Sequence, residues 1–287
     1  MNIFDQMLSR YEILTDDDSI NAQHEVMQQI TLSGLYRGGF FNKAAFYGGT
    51  CLRIFYGLKR FSEDMDFSLL QPDKDFKLEN YFESIKNEFN ALGREVVINK
   101  KEKKNQTNVE SAFLKDDTAI YNVKFRTEWN IKIKIEVDIN PPKGFTTEHK
   151  FLLLPFSFMV RCYSLPDLYA GKMHALLFRS WKSRVKGRDW YDFEWYVRNN
   201  TTLNFDHLSQ RTSQFESLPQ EKLTRENFIP LLKDKIARTN MEMAKADVNP
   251  FMKNSGELDI WSTEYFLHLA DMIQFESNLM PLKTNSE

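Results

Sequence analysis

Apolar residues recur along this chain with two different spacings, and the spacing changes past the middle. The clearest element is residues 131–139, IKIKIEVDI, in which every second residue is apolar. Strict alternation of this kind is typical of a β-strand that has one face in a core. Shorter apolar runs predict strands at 44–47, 65–70, 109–114 and 119–126, and helical spacing predicts two helices within 1–37, one near 51–55 and one over 76–92.

From about Leu165 onward, nearly every segment has the spacing of a helix. Helices are predicted at 165–181, 188–199, 204–214, 224–247 and 261–276. Strands that come first and helices that come later predict an α+β protein, in which a sheet domain with flanking helices is followed by an α-helical bundle domain. We place these domains at 1–162 and 163–287.

Composition limits the class of protein. Hydrophobic residues make up 42% of the chain and charged residues 27%, which is typical of an ordered globular protein. The formal net charge of −2 restricts nucleic-acid binding to a local patch. The first residues do not read as a signal peptide, and the longest apolar run, 151–160, is too short to span a bilayer. Because Cys51 and Cys162 also lack metal-ligand spacing, we expect a cytoplasmic protein with reduced thiols that does not enter a membrane.

Two carboxylates share one face of a predicted strand. Asp64 and Asp66 are separated by Met65, and side chains two residues apart on a strand point the same way, roughly 6.6 Å apart at the backbone. One or two carboxylates plus substrate phosphates are the usual ligands of Mg²⁺ in nucleotide sites. The pattern predicts a metal–nucleotide site, and the alternative is a solvated strand end.

Gly48, Gly49 and Thr50 lie between a predicted strand and a predicted helix. Glycines at such a junction let backbone N–H groups approach a phosphate, and Thr50 could cap the helix and donate its hydroxyl group. The alternative is an ordinary turn between a strand and a helix.

The polar face of the strand at 131–139 offers a further metal ligand. It carries Lys132, Lys134, Glu136 and Asp138, and one of the two acids could join Asp64 and Asp66. We select Asp138 over Glu136 because it stands at the strand end. Three carboxylates could then hold two cations roughly 3.5–4 Å apart, as in other in-line displacements at phosphorus. The alternative is a polar face that meets only solvent.

The helical half contributes cations and further acids. Lys172 and Arg179 fall on one helical face, where they would suit a triphosphate, although a solvated helix flank would look the same. Asp189 and Asp192 share one side of the next helix, and acids in a first turn are also expected from the helix dipole alone.

Together these motifs resemble the AbiEii/AbiGii toxin nucleotidyltransferases, a branch of the polymerase-β-like superfamily. The resemblance rests on the segment GGTCLRIFYGLKRFSEDMDFSLL, with thirteen residues between Thr50 and Asp64, and on three later motifs at Lys134–Asp138, Asp167–Lys172 and Arg188–Asp192. The four motifs span residues 48–192. The resemblance implies a mixed-sheet nucleotidyltransferase fold for the first domain.

The resemblance also implies an activity and roles for the residues that match. A nucleoside monophosphate would pass from an NTP to an acceptor hydroxyl, with release of pyrophosphate. Mg²⁺ or Mn²⁺ would be held by Asp64 and Asp66, Lys172 would neutralise the triphosphate, and Asp189 would position or deprotonate the attacking hydroxyl. The full set of predicted nucleotide-binding residues is Gly48, Gly49, Thr50, Arg60, Ser62, Lys172 and Arg179, and the set of predicted metal ligands is Asp64, Asp66 and Asp138.

The acceptor implied by the resemblance is RNA, in particular the 3′ end of tRNA, and the implied biology is a toxin of a type IV toxin–antitoxin or abortive-infection system with a cognate antitoxin. A basic segment beside the proposed site would contact RNA phosphates through Lys182, Arg184, Lys186 and Arg188. The alternatives are a nucleotidyltransferase that modifies a small molecule or a protein, and a non-catalytic binding or regulatory module.

Overall fold

A computed structural model of the chain describes residues 2–100, 118–125, 132–179, 184–215 and 223–276. The chain divides into two compact units. The first unit comprises Met1–Ser164 together with Pro250–Ser255, and the second comprises Leu165–Asn249 together with Gly256–Glu287. The predicted domain boundary at residue 162 stays a prediction. The sequence did not indicate that the short segment Pro250–Ser255 belongs with the first unit.

The first unit combines helices with a sheet. Its helices are α1 (Ile3–Leu8), α2 (Asp16–Arg37), α3 (Gly48–Tyr56) and α4 (Phe82–Ala91). Its strands are β1 (Ala44–Tyr47), β2 (Met65–Leu69), β3 (Val96–Lys100), β4 (Thr118–Phe125), β5 (Lys132–Asp138), β6 (Thr147–Leu152) and β7 (Phe158–Tyr163).

These strands form one mixed sheet in the order β3-β4-β5-β2-β1-β7-β6. The centre of the sheet contains both kinds of pairing, because β2 runs parallel to β5 and antiparallel to β1, while β1 runs parallel to β7. The outer pairs β3–β4, β4–β5 and β6–β7 are all antiparallel. The predicted mixed α+β architecture is confirmed for this unit.

Alternation along the central strands builds the core and leaves polar side chains on the opposite face. In β5, Ile133, Ile135 and Val137 are fully buried, which is the pattern that the sequence predicts for this strand. In β2, Phe67 is fully buried and stacks on Phe46 of β1 with ring centroids 4.9 Å apart. The acids of β2 and β5 therefore share the other face of the sheet.

Helix α2 begins with a hydrogen-bonded cap at Thr15. Thr15 accepts a hydrogen bond from the backbone N–H of Asp18, whose side chain accepts one in return from the backbone of Thr15, a capping box that satisfies two otherwise unpaired N–H groups. Further along the same helix, Gly34 lies so close to α4 that an added Cβ would be 2.6 Å from Cα of Ile85. The glycine thus sets the distance between α2 and α4.

The second unit is mainly helical. It contains α5 (Leu165–Phe178), α6 (Gly187–Arg198), α7 (Phe205–Phe215), α8 (Arg225–Arg238), α9 (Met241–Val248) and α10 (Thr263–Asp271), with the short strands β8 (Thr202–Leu203) and β9 (Gln274–Phe275). The two strands pair in parallel. The predicted helical character is confirmed for these segments, whereas their arrangement as a bundle is not confirmed and stays a prediction.

Several predicted elements differ from the structure in extent. The single helix predicted over 224–247 is wrong, because Thr239 adopts an extended conformation after α8 and Asn240 then caps α9. The β6–β7 hairpin was not predicted, because Pro155 and Ser157 interrupt the apolar pattern of residues 151–160. The strand predicted at 109–114 lies outside the described residues. Across the part of the chain that the structure describes, no helix is both long enough and apolar enough to cross a membrane.

The close approach of α2 and α4 predicts a stability effect. We expect Gly34→Ala to lower the free energy of unfolding by about 1–3 kcal/mol, because the new methyl group would overlap the α4 backbone. The measurement is urea unfolding followed by circular dichroism. Gly171→Ala in α5 is the matched control: nothing lies within 4 Å of its added Cβ, so a gain of about 0.5–1 kcal/mol is expected there. Equal stability of the two variants would contradict the close packing.

Candidate active site

The acidic face of the sheet centres on Asp66. In the pairing of β2 with its neighbours, Asp66 lies between Tyr47 of β1 and Glu136 of β5. Asp64 precedes the strand directly, and both aspartates are partly exposed. The two predicted metal ligands thus stand at the start of a central strand, on its polar face.

The acid that lies beside Asp66 in the sheet is not the one selected from the sequence. Because β2 and β5 are parallel, Glu136 is the direct partner of Asp66, whereas Asp138 is the partner of Ser68. The Asp138 carboxylate accepts a hydrogen bond of 3.0 Å from the backbone N–H of Asn140. The register therefore favours Glu136 as the third acid of the cluster, and metal binding by Asp138 stays a prediction.

Lys134 supplies the positive charge of this cluster. Its ammonium group forms an ion pair with Glu136. Burial alone would lower the pKa of Lys134, but attraction by Glu136, and then by the charges of Asp64 and Asp66, raises the pKa above its ordinary value. Lys134 thus offsets part of the negative charge of these three acids.

The glycines before α3 let its first turn approach Asp66. Gly48 has a φ of 82°, a conformation that glycine adopts without strain, and a Cβ at this position would lie 2.4 Å from Oδ2 of Asp66. Tyr47, the N-cap residue of α3, makes no capping hydrogen bond with its side chain. The backbone N–H groups of a helix start attract anions, so this turn offers a phosphate site next to a carboxylate.

The remaining residues of the predicted phosphate loop lie beneath it. Thr50, Arg60 and Ser62 are 0%, 2% and 6% exposed, respectively. The Thr50 hydroxyl donates to the backbone carbonyl of Asp64 and lies 2.9 Å from Oγ of Ser62. A Cβ on Gly49 would lie 2.7 Å from Nη2 of Arg60.

The predicted helix cap at Thr50 is therefore wrong, because α3 begins at Gly48 and the Thr50 hydroxyl contacts the segment before β2 instead. The burial of Arg60 and Ser62 favours support of the loop, and their direct contact with a nucleotide stays a prediction.

Two side chains from helices fix the segment between α3 and β2. Gln28 of α2 donates to the carbonyls of Ser62 and Glu63 at 3.0 and 2.9 Å. Arg53 of α3 donates to the carbonyl of Arg60 at 3.0 Å. These bonds hold the long connection that ends at Asp64, so the position of the carboxylates depends on the helices behind them.

In the second unit, two aspartates hold one lysine. Nζ of Lys172 on α5 lies 2.7 Å from Oδ1 of Asp189 and 2.7 Å from Oδ2 of Asp192, both on α6. Asp192 is fully buried and Asp189 nearly so, and buried charges are stable only when paired. The predicted i, i+3 pair of acids therefore faces Lys172, a contact that fixes its ammonium group. The predicted meeting of Lys172 with Asp64 and Asp66, which belong to the other unit, stays a prediction.

Asp189 remains ionised at neutral pH. Burial alone would raise its pKa, but the charges of Lys172 and then of Arg179, whose Nη1 lies 3.8 Å from Oδ2 of Asp189, outweigh burial and lower the pKa to about 2. A carboxylate with so low a pKa accepts a hydrogen bond well but is a weak general base. Of the two predicted roles, this favours positioning of a hydroxyl over its deprotonation.

The predicted RNA contacts differ in exposure. Arg184 is exposed, while Lys186 and Arg188 are partly buried around the start of α6; Lys182 lies outside the described residues.

Across the described part of the chain, no three His, Cys, Asp or Glu side chains come together closely enough to hold a metal ion. The two carboxylates of Asp64 and Asp66 still suit Mg²⁺, which takes its other ligands from water and substrate phosphates.

The contact between Gly48 and Asp66 predicts an effect on the nucleotidyl transfer expected from the sequence. We expect Gly48→Ala to lower kcat by about 100-fold, because the methyl group would displace the Asp66 carboxylate. Gly57→Ala, at the other end of α3, is the control: its φ is also positive, at 80°, but nothing lies within 4 Å of its added Cβ. Gly57→Ala should lower the free energy of unfolding by about 1–2 kcal/mol and leave kcat unchanged. Similar losses of kcat in both variants would contradict a clash with Asp66.

The charge state of Asp189 predicts its titration. We expect the ¹³C shift of its carboxyl carbon, assigned by its loss in Asp189→Asn, to stay constant from pH 8 down to about pH 4. Because the pKa is lowered on folding, the ion pair contributes stability above about pH 4, and this contribution is lost as the pH falls towards 2. A titration of this carbon near pH 6–7 would instead support a general base.

Two solved crystal structures share this fold. A candidate nucleotidyltransferase from Helicobacter pylori is 17% identical in sequence, with 90% of this chain and 95% of that chain covered at a TM-score of 0.50. The protein JHP933 from Helicobacter pylori is 18% identical, with 91% of each chain covered at a TM-score of 0.52. At such low identities the likeness establishes the fold.

No curated protein sequence matches the chain at a significant level. A family model does match: that of the nucleotidyl transferase AbiEii toxin of type IV toxin–antitoxin systems covers residues 30–268. The matched span includes Gly48, Asp66, Lys172 and Asp189, so it contains both clusters, and the family predicted from the sequence motifs is confirmed. Because the match extends over most of the chain, the protein belongs to the AbiEii family of toxins and is a nucleotidyltransferase.

Proposed function

We propose that this nucleotidyltransferase transfers a nucleoside monophosphate from an NTP to a hydroxyl group of RNA, in particular at the 3′ end of tRNA, and that it requires Mg²⁺ or Mn²⁺. The observation that carries the proposal is the close approach of the first turn of α3 to the Asp66 carboxylate. A Cβ added to Gly48 would lie only 2.4 Å from Oδ2 of Asp66. A site for phosphate and a site for a cation are thereby adjacent.

The nucleotide phosphates would bind at the first turn of α3. Gly48 leaves no side chain between this turn and the Asp66 carboxylate, while Gly49 packs against Arg60, and the N-terminus of the helix favours negative charge. Thr50, Arg60 and Ser62 are buried next to this turn, where they would support it. Asp64 and Asp66 would hold the divalent cation, with Glu136 the third acid that the register favours. When bound, the cation would neutralise charge on the phosphates and the leaving pyrophosphate.

Lys172 and Asp189 would act on the phosphates and on the acceptor. The pairing of Lys172 with Asp189 and Asp192 fixes its ammonium group, and a cation that is held in place in this way could neutralise phosphate charge without reorganisation of its own. Asp189 would accept a hydrogen bond from the attacking hydroxyl. The hydroxyl oxygen then bonds to the α-phosphorus, the bond from that phosphorus to the bridging oxygen breaks, pyrophosphate leaves with the electron pair, and the hydroxyl proton passes to water.

An RNA acceptor is favoured by the basic residues beside Asp189. Arg184, Lys186 and Arg188 lie within five residues of it in the sequence, and RNA binding requires cations along the path of the phosphates. A small-molecule or protein acceptor would not require such a patch. The family description also names a type IV toxin–antitoxin system, so we propose that the protein acts as a toxin with a cognate antitoxin, in phage-abortive infection among other settings.

Labelled NTPs incubated with the protein and total tRNA would test the proposal. We expect label to enter tRNA in the presence of Mg²⁺ or Mn²⁺ and not in the presence of EDTA. Asp66→Asn should lower the rate by at least about 100-fold, because it removes a charge that is needed in the transition state. Label that enters only protein or small molecules would refute the RNA acceptor.

A matched pair of variants addresses the third acid. The register predicts a larger loss of rate for Glu136→Gln than for Asp138→Asn, because Glu136 and not Asp138 lies beside Asp66. Circular dichroism would verify that both variants fold. A larger loss for Asp138→Asn would restore the ligand predicted from the sequence.

A further inference from the structure

The second unit contains a basic cleft. Its volume is about 390 Å³, within the range of ligand sites, and its walls come from the C-terminal part of α5, the residues around the start of α6, and α8. The basic side chains among its described lining are Arg179, Arg184, Lys186, Lys235 and Arg238. We call this feature the basic cleft.

The acids of the basic cleft do not neutralise it. Among the described lining residues only Asp189 and Asp234 are acidic. Asp189 lies 2.7 Å from Lys172, which is not part of the lining, and 3.8 Å from Arg179 of the lining, while Asp234 lies 2.8 Å from Arg238. Among the described lining residues, two acids thus face five basic side chains. The cleft therefore retains a net positive charge that an anionic ligand would reduce.

The positive charge is concentrated near Lys186. Burial, and then repulsion by Arg188, lower the pKa of Lys186 to about 8, although attraction by Asp189 opposes the shift. The side chains of Arg179 and Arg238 are 43% and 77% exposed, so they can reach a ligand in the cleft. Lysines and arginines held close together in this way are typical of a site that binds phosphate groups.

We propose that the basic cleft binds the backbone phosphates of the RNA acceptor, with Lys235 and Arg238 of α8 as phosphate contacts, and that it directs the terminal hydroxyl group towards Asp189. The proposal deepens the proposed function and rests on it. Two features favour an RNA strand over the triphosphate of a nucleotide. The cations come from three separate segments along an open cleft, which suits successive phosphates, and Asp189, the residue assigned to the acceptor hydroxyl, lines the same cleft.

The α8 contacts are distinct from the family-like motifs, which end at residue 192. Nζ of Lys235 donates to the carbonyl of Arg179 at 3.4 Å, and this bond places its ammonium group at the cleft wall formed by α5. Arg238 lies one turn further along α8, at i+3, on the same side of the helix. Both therefore present their charge to one ligand.

RNA binding by the full-length protein tests the proposal. The probes are a fluorescent single-stranded RNA of mixed sequence with a 3′ hydroxyl group and total tRNA, followed by anisotropy over a range of NaCl concentrations. For the double variant Lys235→Ala/Arg238→Ala, we expect the affinity to fall by about 10-fold or more, and the slope of log K against log[NaCl] to fall by about 1–2, which corresponds to the loss of one or two phosphate contacts.

Two variants on the same helix are the controls. Lys233→Ala removes an equal charge from α8 outside the cleft, where Lys233 lies 2.6 Å from Asp271, and should change RNA affinity by less than about 2-fold. Asp234→Asn removes a negative charge from the cleft and should increase RNA affinity, a result that misfolding would not produce. Equal effects of Lys233→Ala and the double variant, or a loss of affinity in Asp234→Asn, would overturn the proposal.

Calorimetric titration with Mg²⁺–NTP separates this inference from the proposed function. If the double variant loses NTP affinity but keeps RNA affinity, the cleft holds the nucleotide and the assignment to the acceptor is wrong. If the wild-type protein binds RNA through the cleft but binds no Mg²⁺–NTP, the proposed function fails while the cleft assignment stands. If RNA binding is unchanged in the double variant and both proteins bind NTP, the assignment of RNA binding to the cleft is wrong, while the proposed function stands.

Discussion

The parallel pairing of β2 with β5 is the constraint on which the first unit depends. It sets Asp66 beside Glu136, while the antiparallel pairing of β2 with β1 brings the start of α3 to the same carboxylate. A shift of β2 by one residue would turn Asp66 into the core and Phe67 to the polar face of the sheet. The buried Phe67 and Val137 thus fix the register, and the register fixes the site.

Each of the two clusters combines acids with basic side chains at fixed positions. In the first unit, the charges of Glu136, Asp64 and Asp66 all act on Lys134. In the second unit the acids Asp189 and Asp192 are buried and paired, while basic residues line the open cleft beside them. Each cluster places its fixed charges before a ligand arrives, which reduces the cost of reorganisation during the reaction.

In both clusters, hydrogen bonds or ion pairs from neighbouring elements hold the candidate site residues in place. Gln28 and Arg53 hold the connection before Asp64 by hydrogen bonds to backbone carbonyls, and the ion pairs of Lys172 hold its ammonium group between two acids of α6. Because a displacement of about 1 Å can cost a factor of 100 in rate, we expect the contacts of Gln28 and Arg53 to matter for catalysis.

The sequence by itself determined the class of fold, the family and the motifs, because period-two alternation, glycines at a strand–helix junction and paired acids are local patterns. It could not determine which residue of β5 stands beside Asp66, since register depends on the pairing of strands that are seventy residues apart. Nor could it assign Asp192 to Lys172 or bring Lys235 and Arg238 of α8 to the cleft, because these contacts join separate helices. Contacts between residues far apart in the sequence are decided by tertiary packing. The sequence decides only which types of side chain each element can bring to such a contact.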